Sequence, residues 1–209
     1  MVENKQSINK FIENGFKPFN NVQCIQRTLI FWAVSFCIAC IHKYSAIWMN
    51  VFSIFNTGMS IIFIFLSLRK SQDKVARFIC DAVTYMYVTA LLVVMTYRYL
   101  FDPSNENVFI LLTMLLLTYI VVFVITCYIK KVITKKYIKR SENYKVSSLT
   151  IIISVSGVLC DIFADANISQ STAKMIVEIG CMIFSIFFGI MGGISLLKIF
   201  FYNRVKNKL

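Results

Sequence analysis

Proline, glycine and charged residues are all scarce in this chain of 209 residues. Two prolines and seven glycines leave no room for long flexible linkers, so we expect one compact helical unit without a separate domain. Only 15% of the residues are charged, whereas 58% are hydrophobic and the mean hydropathy is +0.70. Soluble domains are less apolar than this, so the composition predicts an all-α polytopic membrane protein.

Motifs of familiar catalytic chemistry are also missing. The chain contains no phosphate-binding P-loop, no G-x-S-x-G nucleophile elbow and no HExxH zinc motif. Its one histidine, His42, follows Cys37 and Cys40 in the sequence CIACIH, where a metal would still need a further ligand and where buried cysteines act as small apolar residues. We therefore expect no catalytic residue, no metal and no cofactor, and we leave enzymatic activity as an open but less favoured alternative.

Six apolar runs are long enough to cross a bilayer as helices. A hydrocarbon core of about 30 Å requires about 20 helical residues. From Thr28 to Leu68 the only charged interruption is Lys43 beside His42, so this stretch predicts two spans joined by a tight turn. Together the spans form a membrane domain over residues 28–201. The predicted bundle of six transmembrane helices covers residues 28–45, 47–68, 78–99, 108–129, 146–164 and 175–198.

Polar segments flank this membrane domain. Residues 1–27 lack the apolar core and the cleavage site of a signal peptide, so we expect the segment to be retained. Within it, Ile8, Phe11 and Ile12 share one side of a short helix. That helix would lie in the cytoplasmic membrane interface, and a loosely ordered tail is the alternative. Residues 202–209 form a basic cytoplasmic tail.

Basic residues are distributed very unevenly between the two sides of the predicted bundle. Of the 22 lysines and arginines, only Lys43, Arg98 and Lys174 fall on the side away from the termini. Cytoplasmic loops of membrane proteins are enriched in these residues. The sequence therefore predicts a multi-pass protein of the cell membrane with both termini in the cytoplasm. The net charge of +12 then reflects topology, and we expect no nucleic-acid partner.

The densest basic stretch, KKVITKKYIKR, follows the fourth span. Anionic lipid headgroups at the cytoplasmic face are its expected partner, at about 1 kcal/mol for each basic residue near the surface. An acidic cytoplasmic protein is the alternative partner. The predicted basic surface consists of Lys130, Lys131, Lys135, Lys136, Lys139 and Arg140.

Half of the ten acidic residues fall on the opposite, outer side, where basic residues are rare: Asp102, Glu106, Asp161, Asp165 and Glu178. Asp161 and Asp165 are four residues apart and share one face near the outer end of the fifth span, and Glu178 begins the sixth. In a packed hairpin these three carboxylates would form an outer acidic cluster that attracts a cation. In the plainer alternative, Asp165 ends its helix in water and Glu178 pairs with Lys174.

Polar stripes run along the second, third and fifth spans. Polar helix faces avoid lipid, so we expect these three helices to point toward one another. Their side chains either hydrogen-bond within the bundle or line a route for something polar, and serine and threonine can also bond to their own backbone. In addition, Asp81 follows Arg77 by four residues, a spacing that favours an ion pair. The candidate residues of a polar path are Asp161, Ser154, Asn56, Ser60 and Asp81.

A ladder of small residues occupies one face of the sixth span. Ser185, Gly189 and Gly193 recur at intervals of four. Such a ladder lets the backbone of another helix approach closely. We expect the fifth span to be that helix, with a second subunit as the alternative.

These features predict a small transport or permeation component that acts with a partner subunit or as an oligomer. The absence of charge at mid-membrane argues against an ion-coupled carrier. The alternative is a non-transporting membrane interaction protein, such as an immunity, regulatory or assembly factor. A weaker alternative is a metal-dependent lipid enzyme that uses Asp161 and Asp165, although the preceding sequence KVSSLTIIIS offers neither an acid nor an arginine to complete a two-metal site.

Overall fold

The computed structural model describes residues 8, 11–13, 21–68, 74–136 and 170–206 of the chain. Within these ranges the protein is helical apart from short turns, and no strand is present. All five long helices are long and apolar enough to cross a membrane. They are α1 (Asn21–Cys40), α2 (Ala46–Leu68), α3 (Lys74–Leu100), α4 (Val108–Lys136) and α5 (Gln170–Lys206). The fifth predicted span, residues 146–164, lies outside the described residues.

The helices extend beyond the apolar runs that predicted them. Helix α1 begins at Asn21 instead of Thr28, and α5 runs from Gln170 to Lys206 instead of covering only residues 175–198. Hydropathy marks the part of a helix that contacts lipid, whereas backbone hydrogen bonding continues into polar sequence of fair helix propensity. The 37 residues of α5 span about 55 Å, so its ends pass well beyond a hydrocarbon core of about 30 Å.

The turn between α1 and α2 lies where the sequence predicts it. Residues 41–45 separate the two helices, and the backbone N–H of Ser45 donates to the carbonyl of Ala39 at 3.1 Å. His42 adopts a positive φ of 61°, a left-handed conformation that is uncommon for residues other than glycine. This conformation reverses the chain within a few residues, so the first two spans form a hairpin.

Helix α3 lies at the centre of the described bundle. It has the largest buried share of the five candidate spans and contacts each of the other four helices. Toward α1 and α2 it contributes to an apolar core in which aromatic rings stack. The ring of Phe31 lies 5.8 Å from that of Phe63 and meets the ring of Tyr87 edge-on at 4.9 Å. The core therefore joins three helices through one cluster of rings.

A second, smaller core lies where the ends of α3 and α5 meet. It consists of Phe78, Leu197 and Phe201 together with Ile12 from the N-terminal segment. The ring of Phe11 packs edge-on against Phe201 at 6.0 Å. The described part of the N-terminal segment is thus helical and packed against the bundle.

Helices α3 and α5 run antiparallel, as contacts along their length establish. The hydroxyl of Thr89 donates to the carbonyl of Ser185 at 3.1 Å. Further along, Gly192 faces Met86, and an added Cβ there would lie 3.2 Å from the methyl carbon of that side chain. As residue numbers increase along α5, the residues of α3 that they contact decrease in number, so the two helices run in opposite directions.

Helices α4 and α5 run parallel. Val122 lies against Gly189, and Thr126 lies against Gly193 one turn further along both helices. The end of α4 at Lys136 and the start of α5 therefore lie at opposite faces of the bundle. We call these the basic face, which contains the helix ends Asn21, Leu68, Lys74, Lys136 and Lys206, and the opposite face, which contains the helix ends Cys40, Ala46, Leu100, Val108 and Gln170.

Replacing Gly189 by leucine should destabilise the protein. A side chain at this position would collide with Val122, whose β-branched side chain is stiff in a helix, and overpacking costs about 1–3 kcal/mol. The measurement is the midpoint of thermal unfolding in detergent. Gly58→Leu is the matched control, because no described atom lies within 4 Å of a Cβ added at Gly58 in α2. Equal losses from both substitutions would contradict a packing role for Gly189.

Candidate functional site

Asp81 forms the centre of an ionic network between α1 and α3, near the basic face. Its Oδ1 accepts a hydrogen bond from Arg27 at 2.8 Å, and its Oδ2 accepts one from Arg77 at 3.1 Å. Arg27 also donates to the hydroxyl of Thr84 at 3.0 Å, and Arg77 donates to the side-chain oxygen of Gln23 at 2.7 Å. The carboxylate is thus held by two guanidinium groups that have further partners of their own.

The ion pair between Arg77 and Asp81 confirms the prediction made from their spacing. The second partner, Arg27, was missed because hydropathy placed it before the first span. In the structure α1 begins two turns earlier, at Asn21, and this extension carries Arg27 into the bundle opposite Asp81. No local pattern connects residues 54 positions apart, so only the packing of α1 on α3 reveals the pair.

A hydrogen-bonded network of three residues joins α1, α2 and α3 within the apolar core. The side-chain amide of Asn56 donates to the hydroxyl of Ser35 at 3.1 Å, and its oxygen accepts from the hydroxyl of Tyr87 at 2.5 Å. Asn56 is only 1% exposed and Ser35 is fully buried. An amide without partners in hydrocarbon costs several kcal/mol, so these bonds make its burial possible.

The other polar residues of α2 do not all face the core. Ser60 is half-buried, and its hydroxyl donates to the carbonyl of Asn56 in its own helix at 2.7 Å. Ser53 bonds to its own backbone in the same way at Met49. Asn50 lies on the exposed surface. Among the predicted path residues of this helix, Asn56 alone is bonded to other helices.

The predicted residues of the fifth span and of the outer acidic cluster are described only in part. Ser154, Asp161 and Asp165 lie outside the described residues, and Glu178 is half-buried in α5. The outer acidic cluster therefore stays a prediction. Of the predicted path residues that are described, Asn56 and Asp81 belong to two separate networks.

At the opposite face, Arg98 and Glu106 connect the loop at residues 41–45 with the loop at residues 101–107. Arg98 is 1% exposed, forms an ion pair with Glu106, and donates to the carbonyl of Ile41 at 2.7 Å. The indole N–H of Trp48 donates to both carboxylate oxygens of Glu106, at 3.2 and 3.1 Å. The guanidinium also lies 5.7 Å from the centre of the Trp48 ring. One buried cation therefore connects the turn after α1, the start of α2 and the loop before α4.

His42 completes this network. Its Nε2 lies 2.6 Å from the backbone carbonyl oxygen of Arg98 and donates to it, since a carbonyl oxygen only accepts. The left-handed backbone at His42 brings the ring to that position. This histidine is therefore a structural residue of the turn. The sequence identified Arg98 only as a rare cation on the outer side, and its partners became evident from the packing.

The small residues of α5 are buried against α3 and α4. Gly189 and Gly193 face Val122 and Thr126, and the carbonyl of Ser185 accepts from α3. The hydroxyl of Thr126 is buried and finds no hydrogen-bond partner among the described residues. The ladder thus has partners within the chain, whereas the partner expected first, the fifth span, is outside the described ranges.

The basic surface is described only in part. The ammonium of Lys130 lies 4.2 Å above the ring of Phe200, which connects the basic ends of α4 and α5, and Lys131 is exposed. Lys135 and Lys136 belong to the last turn of α4. The remaining members of this surface, Lys139 and Arg140, lie outside the described residues.

Comparison with known proteins gives no match, since no family model, no curated protein and no solved structure is similar to this chain. Over the ranges that the structure describes, no group of three or more histidine, cysteine or acidic residues is arranged to hold a metal ion. Function therefore has to be inferred from the polar networks, the helix faces and the charges of the bundle itself.

Replacing Asn56 by leucine should lower stability. The substitution leaves the hydroxyls of buried Ser35 and half-buried Tyr87 without their common partner, at a cost of about 1–2 kcal/mol. The measurement is resistance to unfolding by a denaturing detergent. Asn50→Leu is the matched control on the same helix, because Asn50 is exposed. If Asn56→Leu were as stable as this control, the network would not contribute to stability.

Replacing Glu106 by glutamine should loosen the loops at residues 41–45 and 101–107. Arg98 would stay buried without a charged partner, at a cost of about 1–3 kcal/mol. Limited proteolysis of the loop at residues 101–107 is the measurement, and faster cleavage is expected. Asp102→Asn removes an exposed charge from the same loop and should leave the cleavage rate unchanged.

Proposed function

We propose that this protein is a non-transporting membrane interaction protein, of the immunity, regulatory or assembly class. The observation that carries this proposal is the pairing of polar side chains within the bundle. Asn56 is bonded to Ser35 and Tyr87, and Asp81 is bonded to Arg27 and Arg77. Except for the pair of Arg77 with Asp81 within α3, these bonds connect different helices, which is what a rigid scaffold requires.

A permeation route would use such groups differently. Side chains that line a path exchange hydrogen bonds with the passing solute or with water, so they need donors and acceptors directed into a cavity. Asn56 uses its amide and its oxygen within the core and is almost completely buried. Asp81 likewise uses both carboxylate oxygens on arginines. This arrangement favours structural roles for both residues.

We further propose six spans with both termini at the cytoplasmic side. Support comes from the parallel direction of α4 and α5, because Lys136 and Gln170 then lie at opposite faces. The 33 residues 137–169 have to return from one face to the other, and in hydrocarbon a single segment crosses as a helix. Residues 146–164 are apolar enough for that crossing. The excess of Lys and Arg at the basic face supports its cytoplasmic location.

A transport or permeation component with a partner subunit is the second candidate. One sequence observation favours it: Ser154 and Asp161 belong to a polar stripe on the predicted fifth span, and such a stripe avoids lipid. A path on that side of the bundle would not need the networks around Asn56 and Asp81. Transport activity would be detected as release of entrapped potassium or small organic solutes from liposomes that contain the protein.

Photo-crosslinking in the native membrane tests the proposed function. A photoreactive phenylalanine at Phe55 in α2 or Phe123 in α4, both exposed, should crosslink to a distinct protein other than this chain. The same group at Phe63, which is 1% exposed, is the control and should give no such product. The proposal fails if the exposed positions capture only lipid or the chain itself while reconstituted protein releases solutes.

A further inference from the structure

We propose that residues 146–164 pack against an open face of α5 formed by Met175, Ile179, Gly180 and Ile183. The occupant of this face is thus a segment of the same chain. The inference rests on the six-span topology proposed above and adds the surface on which the fifth span docks. It does not depend on the identity of a partner protein.

The open face lies in the N-terminal half of α5, which begins at Gln170. Met175, Ile179 and Ile183 are 59%, 49% and 62% exposed and follow one another at intervals of four residues. No described atom lies within 4 Å of a Cβ added at Gly180, whereas a Cβ at Gly192 would lie 3.2 Å from Met86. Three of the four glycines in α5 thus face a described neighbour, and Gly180 is the one that does not.

The length of the connecting chain limits where the fifth span can lie. Only residues 165–169 separate the predicted span from Gln170, the first residue of α5. Six steps of about 3.3–3.6 Å reach at most about 22 Å, and packed helices lie about 8–10 Å apart. The first turns of α5, where the open face begins, are therefore within reach of the outer end of the span.

The two surfaces are complementary in size and charge. The predicted span presents small residues at intervals of three and four, Ser154, Gly157, Cys160 and Ala164, while the α5 face presents large apolar side chains. Lys174 lies at the same end of α5 that the acidic end of the span, at Asp165, has to approach. Opposite charges would therefore meet where the connection is shortest.

The outward face of α4 is the competing surface, and it suits lipid better. Phe109, Leu112 and Leu116 are 77%, 57% and 61% exposed, and α4 contains no glycine that would allow close approach. Bulky apolar side chains without small neighbours are typical of helices that face acyl chains. The glycine on the open face of α5 therefore makes α5 the better docking surface for the span.

Disulfide crosslinking in membranes tests the proposal. In a chain whose only native cysteine is Cys160, we would introduce Met175→Cys or Ile179→Cys and oxidise with copper phenanthroline. Since a disulfide requires Cα atoms within about 7 Å, docking on α5 should remove most maleimide labelling of both thiols without forming a dimer. Leu112→Cys is the matched control, because the contacts of Val122 with Gly189 and of Thr126 with Gly193 put Leu112 level with Ile179.

The controls separate this proposal from the topology on which it rests. Pairing of Cys160 with Leu112→Cys in place of the α5 positions, or dimers crosslinked through α5, would overturn the docking proposal. Full maleimide labelling of every cysteine pair would also overturn the docking proposal, provided that an impermeant reagent added outside labels the Ser169→Cys variant. If Ser169→Cys were reached only from the cytoplasm, the six-span topology itself would be wrong.

Discussion

A polar group within hydrocarbon has no water to bond, and the described bundle is arranged around this constraint. Asn56 sits in an apolar core only because Ser35 and Tyr87 supply its partners. Each partner comes from a different helix, so satisfying one amide fixes three helices relative to one another. The energy of each bond is modest, about 0.6–2 kcal/mol between membrane helices, but the cost of leaving the group unpaired is larger.

Helix α3 carries a member of each network, which explains its central position. Asp81 lies toward the basic face, Tyr87 lies in the core, and Arg98 lies toward the opposite face. The same helix receives the small residues of α5 on another side, where Gly192 approaches Met86. One helix thus combines polar bonding toward α1 and α2 with close backbone packing toward α5.

The two ionic networks also explain charges that hydropathy treats as exceptions. Arg98 is a cation on the side where cations are rare, and its burial with Glu106 and the turn carbonyl of Ile41 gives it a structural role. Asp81 is an acid among the bases of the other side, and Arg27 and Arg77 neutralise it. The overall charge asymmetry is thus a property of the surface, whereas Arg98 and Asp81 form ion pairs that connect segments of the bundle. This division favours a scaffold over a charged path.

The sequence by itself determined the helical membrane class, five spans that the structure describes as helices, the turn at His42 and the pair of Arg77 with Asp81. These features depend on runs of apolar residues or on neighbours one helical turn apart, which a linear pattern records. Only the tertiary structure decided that Arg27 reaches Asp81 and that the glycines of α5 face α3 and α4. Such contacts join segments tens of residues apart, and they depend on the rotation, depth and direction of each helix, which no local pattern contains.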